Sequence, residues 1–155
     1  MYLGALREVV GVEGTVLVPA YSYTFGRSRA IAPAVFDTHN TPAETGPFPD
    51  FIRRHPDMKR SMDPMVSVCG IGPACSRLFA DLPKTSYGSD SVFERLITLP
   101  EAKCCNIGLG PNWTPFIHYL DWLLRTPYRY DKLFSGILLV DGEAVETSWL
   151  YAVRT

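Results

Sequence analysis

The run Thr15-Val16-Leu17-Val18-Pro19, entered through Gly14, constrains the fold more than any other stretch of this chain. It is continuous, apolar and rich in β-branched residues, without the alternation of a strand that has one wet face. Such a run reads as a strand buried on both faces inside a layered α/β domain. The rest of the pattern agrees. Residues 2 to 10 read as the end of a helix, with Leu3, Leu6, Val9 and Val10 on one side and Gly11 as its stop. Pro49 to His55 reads as a helix with Asp50 in its first turn and Phe51 and Ile52 facing inward, and Ser91 to Leu99 as a helix capped by Asp90 or Ser91. Met65 to Gly70 and Lys103 to Gly108 read as strands, and Phe134 to Val140 with Glu143 to Tyr151 as a hairpin around Asp141-Gly142. Residues 26 to 46, rich in Gly, Pro, Ser, Thr and Asn, read as one long loop. A hairpin beside strand–helix alternation implies a mixed sheet. No repeat and no dividing linker interrupts the chain, so the expectation is a single-domain α/β/α sandwich with a mixed sheet.

Composition narrows the function classes. With 155 residues and an apolar fraction of 46%, the chain can bury a real core. A formal net charge of -1, without any long basic run, gives no general reason to bind nucleic acid or an anionic membrane. Apolar stretches such as Gly136 to Val140 are too short to span a bilayer, and Met1 to Val10 carries Arg7 and Glu8 with no cleavage pattern, so the expected location is the cytoplasm. Cys69, Cys75, Cys104 and Cys105 form neither a CxxC pair nor a disulfide framework, and are expected as buried small apolar residues.

The stretch from Thr114 to Asp121 carries the most chemistry. Thr114 as N-cap and Pro115 at the first helical position start a helix that puts His118, Asp121 and Arg125 on one polar stripe, with Phe116, Ile117, Leu120 and Leu124 as apolar surface. A carboxylate beside an imidazole fixes its tautomer, as an oriented general base requires, although ion pairs of this spacing are as often structural. His39 lies in the long loop, and His55 is most simply a helix-end cap. No motif supplies the three or four ligands of a metal site. Tyr87-Gly88-Ser89-Asp90-Ser91 precedes a helix, where it is either an ordinary cap or a phosphate cradle. Arg60-Ser61 offers a cation and a hydroxyl beside a loop; neither patch matches a Walker motif or GxGxxG. Tyr21 to Phe25 is either a rim of hydroxyls around a pocket or plain core–surface alternation.

Taken in order, several segments resemble the aminoglycoside 3-N-acetyltransferase family, or antibiotic N-acetyltransferases. Gly14 to Pro19 followed by Tyr21-Ser22-Tyr23 is similar to its GTL-x-x-P-T-[FY]-[ST] strand. Phe36-Asp37-x-x-x-Thr41-Pro42-x-x-x-Gly46 and Arg60-Ser61-x-x-Pro64-x-x-Ser67-Val68 resemble its next landmarks. Tyr87-Gly88-x-x-Ser91 is similar to YG-x-x-SPL, and His118-x-x-Asp121 to H-x-x-E. The resemblance implies direct acetyl transfer from acetyl-CoA to the amine of an aminoglycoside or related amino sugar, as in the family's resistance enzymes, with His118 as general base and Asp121 orienting it. It implies that Arg60, Ser61, Tyr87 and Ser91 lie on the cofactor side, and that Tyr21, Tyr23 and Asp37 line the substrate pocket. Asp121 departs from the usual Glu. Asp63 stands where some members have His, and with Tyr128-Arg129-Tyr130 it looks closer to relatives encoded with cell-surface polysaccharide genes. Family members carry further residues before the position of Met1 and after the hairpin, so residues 1 to 155 are expected to be a partial domain of this kind. Two alternatives remain: a non-catalytic remnant, and a carbohydrate-binding module using Trp113, Tyr119, Trp122 and Tyr128.

Overall fold

In the computed structural model, which describes residues 2–155, the strand expected at Thr15 to Pro19 is β1 (Val16–Pro19), and it opens a small antiparallel sheet. Its partner is β4 (Val68–Ile71), in register Val16 to Ile71 and Pro19 to Val68, and β3 (Lys59–Arg60) pairs on the other side of β4. All four residues of β4 are buried, so this sheet is covered on both faces. The strand's two-residue period separates two cores. Val68 points into one with Leu78, Val92, Phe93 and Leu96, whereas Cys69 and Ile71 point into the other with Leu3, Val18 and Ile52. The helices follow: α1 (Tyr2–Val10) and α2 (Pro47–Arg53) serve the second core, and α3 (Ala74–Phe79) and α4 (Val92–Ile97) the first.

The mixed sheet is a separate one. Strands β5 (Arg129–Val140) and β6 (Glu143–Arg154) form a long antiparallel hairpin, turned at Asp141 and Gly142, whose φ angles of 50° and 86° are those of a tight two-residue turn. A short strand, β2 (Val35–Asp37), lies parallel to β5, with Phe36 opposite Leu138. Phe36, Leu138, Trp149 and Ala152 pack into the same core as Val68 and Phe93, which joins the two sheets. The α/β class and the mixed sheet are therefore present, with the strands divided between two small sheets.

Several local expectations are corrected. The loop 26–46 contains β2 and, at its start, a 3-10 turn at Thr24–Arg27, because three residues pairing with a distant strand leave no periodic signal. Residues 103–108 form no strand and are exposed, Cys104 and Cys105 included, since an apolar run becomes a strand only where a neighbour pairs with it. Cys69 and Cys75 are buried as expected, and burial pushes the Cys69 thiol up to about 11. On α1 only Leu3 is buried, while Val9 and Val10 are exposed; on α2, Ile52 is buried and Phe51 is not. Among the described residues no helix is long and apolar enough to cross a membrane.

Candidate active site

Helix α5 (Phe116–Leu123) presents His118 and Asp121 on one face, as their spacing requires, although its start is not built as expected. Thr114 makes no side-chain cap; its hydroxyl accepts from the Asn106 amide at 2.9 Å. The helix is anchored by Tyr119, 3% exposed, whose hydroxyl donates to Glu94 Oε1 at 2.8 Å. That places Tyr119 in the core, with Trp122 stacked on it at 5.9 Å, rather than on an aromatic binding face with the exposed Trp113 and Tyr128. Arg125 also leaves the polar stripe. It lies past the helix end at φ 51°, exposed, with its guanidinium over the Trp122 ring.

A different arginine completes the cluster. Arg129, the first residue of β5, donates from Nη2 to His118 Nδ1 at 2.6 Å, from Nε to Asp121 Oδ2 at 3.1 Å and from Nη1 to the Ala152 carbonyl at 3.2 Å. Asp121 Oδ2 stands 3.8 Å from His118 Nδ1, outside hydrogen-bond range, so the imidazole and the carboxylate meet through Arg129. The other Asp121 oxygen accepts from the Tyr128 hydroxyl. Burial and the Arg129 charge hold His118 below its ordinary value, outweighing the opposing pull of Asp121. Burial would raise Asp121, but the hydrogen bonds from Tyr128 and Arg129 and the Arg129 charge hold it low. The cluster is thus a neutral imidazole beside a firmly ionised carboxylate. Nothing in the spacing of residues 118, 121 and 129 announces Arg129, because its approach depends on how β5 leaves the turn after α5.

The wall behind His118 is aromatic. Residues 84–86 run along β6, with the Leu150 N–H donating to the Lys84 carbonyl at 2.9 Å and the Ser86 N–H to the Leu150 carbonyl at 3.0 Å. This sets Tyr87 edge-on to the imidazole at 5.8 Å and against Tyr151 at 5.6 Å. Tyr151 in turn contacts Tyr23 at 6.4 Å, and Tyr23 contacts Tyr21 at 6.1 Å. Tyr21, Tyr23, Tyr87 and His118, far apart in the chain, therefore stand in one continuous series. Among the described residues the buried Tyr21 and Tyr87 hydroxyls have no partner at ordinary hydrogen-bond geometry, although Tyr87 approaches the Tyr151 hydroxyl.

The other expected site residues are committed to the protein itself. Ser91 caps α4, its hydroxyl accepting from the Glu94 N–H, and Glu94 Oε2 accepts from the Asp90 N–H at 2.7 Å. The Ser91 hydroxyl oxygen thus serves as the cap of α4. Arg60, 8% exposed, donates to Ser67 Oγ, the Thr41 carbonyl and the Ala20 carbonyl, with its guanidinium over Phe36. Ser61 is fully buried and accepts from the Val68 N–H at 2.9 Å. Asp37 accepts from the His39 and Asn40 N–H groups and from the Asn40 amide, organising its own loop. Asp63 likewise accepts from the Met65 and Val66 N–H groups, and burial raises it from its ordinary value. Among the described residues no group of three His, Cys, Asp or Glu converges on a point where a metal could sit.

Comparison with known proteins adds three findings. The family model described as aminoglycoside 3-N-acetyltransferase matches residues 1–152. Two curated relatives are aminoglycoside N(3)-acetyltransferase VII of Streptomyces paromomycinus, 29% identical over 92% of this chain and 54% of the relative, and aminoglycoside N(3)-acetyltransferase IX of Micromonospora chalcea, 28% identical over 92% and 56%. The chain thus spans about half the length of the curated relatives it matches. Among solved structures, sisomicin-bound AAC-VIa superposes with a TM-score of 0.83 at 27% identity, over 98% of this chain and 62% of that one. AAC-IIIb in a binary complex with CoASH superposes at 0.81 and 24% identity, over 99% and 62%, a likeness of fold.

Proposed function

Because this chain belongs to the aminoglycoside 3-N-acetyltransferase family, we propose that it is the part of an acetyltransferase domain that carries the base for acetyl transfer to an amine of an aminoglycoside or related amino sugar. One observation carries the reading: His118 is a half-buried imidazole, held below its ordinary value beside the ionised Asp121, and is therefore unprotonated at neutral pH. An unprotonated imidazole can take the proton that an attacking amine must lose, and the nearby carboxylate stabilises the imidazolium that results. Asp121 is one methylene shorter than the usual Glu, and its separation from the ring is consistent with that shorter reach.

Acetyl-CoA is the proposed donor and would supply the activated acyl group. Arg60 donates within the protein, and the Ser61 and Ser91 hydroxyl oxygens accept backbone N–H groups there. Their proposed part is to hold the cofactor-side wall, with Tyr87 as its inner face. Tyr21, Tyr23 and Asp37 are the proposed substrate side, where aromatic rings and a carboxylate suit a polycationic sugar. The curated relatives are named for this reaction, and one solved neighbour is titled as bound to sisomicin.

Purified protein, acetyl-CoA and a panel of amino sugars that includes sisomicin and gentamicin should release free thiol, and His118→Ala should abolish the release. Undiminished release by that variant would remove the base role. No release by the wild type, together with no saturable binding of coenzyme A in calorimetric titration, would leave a non-catalytic fragment.

A further inference from the structure

We infer that Arg129 is a positioning residue that fixes which ring nitrogen of His118 carries the proton, and that its withdrawal is the step that turns His118 into a base; this rests on the acetyl-transfer reading above. A guanidinium has N–H donors and no acceptor, and it does not deprotonate in proteins. Its Nη2 lies 2.6 Å from His118 Nδ1, so Nδ1 must offer a lone pair there. The proton of the neutral ring is then on Nε2. In that tautomer Nε2 can donate a hydrogen bond but cannot accept the proton of an amine.

For Nε2 to accept, Nδ1 must hold the proton and give it a partner, and that partner is Asp121 Oδ2. The oxygen is 3.8 Å away and already takes the Arg129 Nε–H at 3.1 Å. Arg129 therefore acts at two points, occupying the nitrogen and competing for the oxygen that would orient it. The exchange is balanced: one proton reaches Nδ1 from water, one leaves Nε2 to water, and the guanidinium keeps its charge as it moves off. The ring stays neutral throughout, and only afterwards does Nε2 take the amine proton. A half-open surface cleft lined by Asp121, Trp122, Arg125 and Arg129 lies beside the guanidinium, on the side toward which it would withdraw.

The groups around His118 leave Arg129 as the controlling charge. Asp121 faces it from its own helix, Arg129 from β5 and the ring of Tyr87 from the segment along β6. Burial keeps Tyr87 neutral, and Tyr151 behind it is pushed up to about 12. The Tyr128 hydroxyl is directed at Asp121.

Long-range nitrogen–proton correlation spectra of nitrogen-15-labelled protein read the tautomer directly, and the chain has only 3 histidines to assign. Above its titration, wild-type His118 should show a protonated Nε2 and a bare Nδ1. Arg129→Met, which keeps a long stem without donors, should reverse the tautomer and raise the His118 midpoint. A protonated Nδ1 in the wild type overturns the inference, as does an unchanged tautomer in folded Arg129→Met. If that variant does not fold, the wild-type spectrum still decides. The spectra need no acetyl-CoA, so a failure of thiol release would remove the enzymatic reading without altering this result.

Discussion

The ring of Tyr87 stands edge-on to the imidazole of His118, with centroids 5.8 Å apart and planes at 64°. This contact ties the segment that runs along β6 to helix α5, and it puts a phenol that is 2% exposed next to the group with the strongest chemical case in the chain. Its consequences can be measured.

A buried hydroxyl without a partner costs stability, because water is given up and nothing replaces it. Tyr21→Phe removes such a group and keeps the ring. The change should raise the stability to urea by about 1 kcal/mol. A lower urea midpoint in this variant would mean that the Tyr21 hydroxyl is bonded in the folded protein.

His118 is held below its ordinary value by burial first and by Arg129 second. A histidine lowered in the folded state contributes stability that is present above its unfolded value, about 6.5, and is lost as the pH falls through the folded value, because the unfolded chain then binds more protons. Urea unfolding of the wild type should therefore weaken on acidification through and below about pH 6.5. His118→Gln should show a flatter pH dependence over the same window, with His39 and His55 common to both proteins. Parallel curves would contradict the lowered value.

Asp63 is buried, and burial raises it despite the N–H groups of Met65 and Val66. For a carboxyl raised in this way, the contribution is present below the ordinary carboxylate value and lost as the pH rises through the folded value. Asp63→Asn keeps an oxygen for both N–H groups and cannot ionise, so at pH 7 it should be more stable than the wild type, with the advantage disappearing under acid conditions. Asp63→Ala leaves both N–H groups unbonded and should lose about 2 kcal/mol. A destabilised Asp63→Asn at neutral pH would show that the carboxylate charge itself is stabilising.

Gly136 lies where β5 passes the buried Phe25. A methyl group on it would stand 2.5 Å from the Phe25 ring and 2.7 Å from the Ala34 carbonyl, which accepts the Ile137 N–H beside β2. Gly136→Ala should therefore cost about 1–3 kcal/mol by overpacking. Gly4, in α1 with open space around it, is the control: Gly4→Ala should gain up to about 1 kcal/mol from helix propensity. Equal effects of the two changes in a thermal melt would rule out the close approach at Gly136.

Local rules made much of the architecture legible. Asp141-Gly142 between apolar runs specifies a hairpin by turn chemistry alone, and the structure extends it to Arg129 and Arg154. The i, i+3 spacing of His118 and Asp121 needs only a helix to bring them to one face. Ser91 as cap of α4 follows from residues that are three apart, Ser91 and Glu94. Where partners come from afar, the sequence is silent or misleading. Residues 103–108 have the apolar content of a strand and no ladder, while Val35–Asp37 has no pattern and is a strand because residues 137–139 pair with it.

The sequence by itself determined the α/β class, the hairpin, the helix that carries His118 and Asp121, and the ordered series of motifs that marks the family. All of these rest on interactions within a few residues, or on residue order alone. Only the tertiary structure decided that Arg60, Ser61 and Ser91 each bond to other parts of the fold, that Tyr21, Tyr23, Tyr151 and Tyr87 form one series ending at the imidazole, and that Arg129 stands between His118 and Asp121. A hydrogen bond forms at about 3 Å whatever the distance along the chain, and sequence spacing does not encode which distant donor the fold will deliver there.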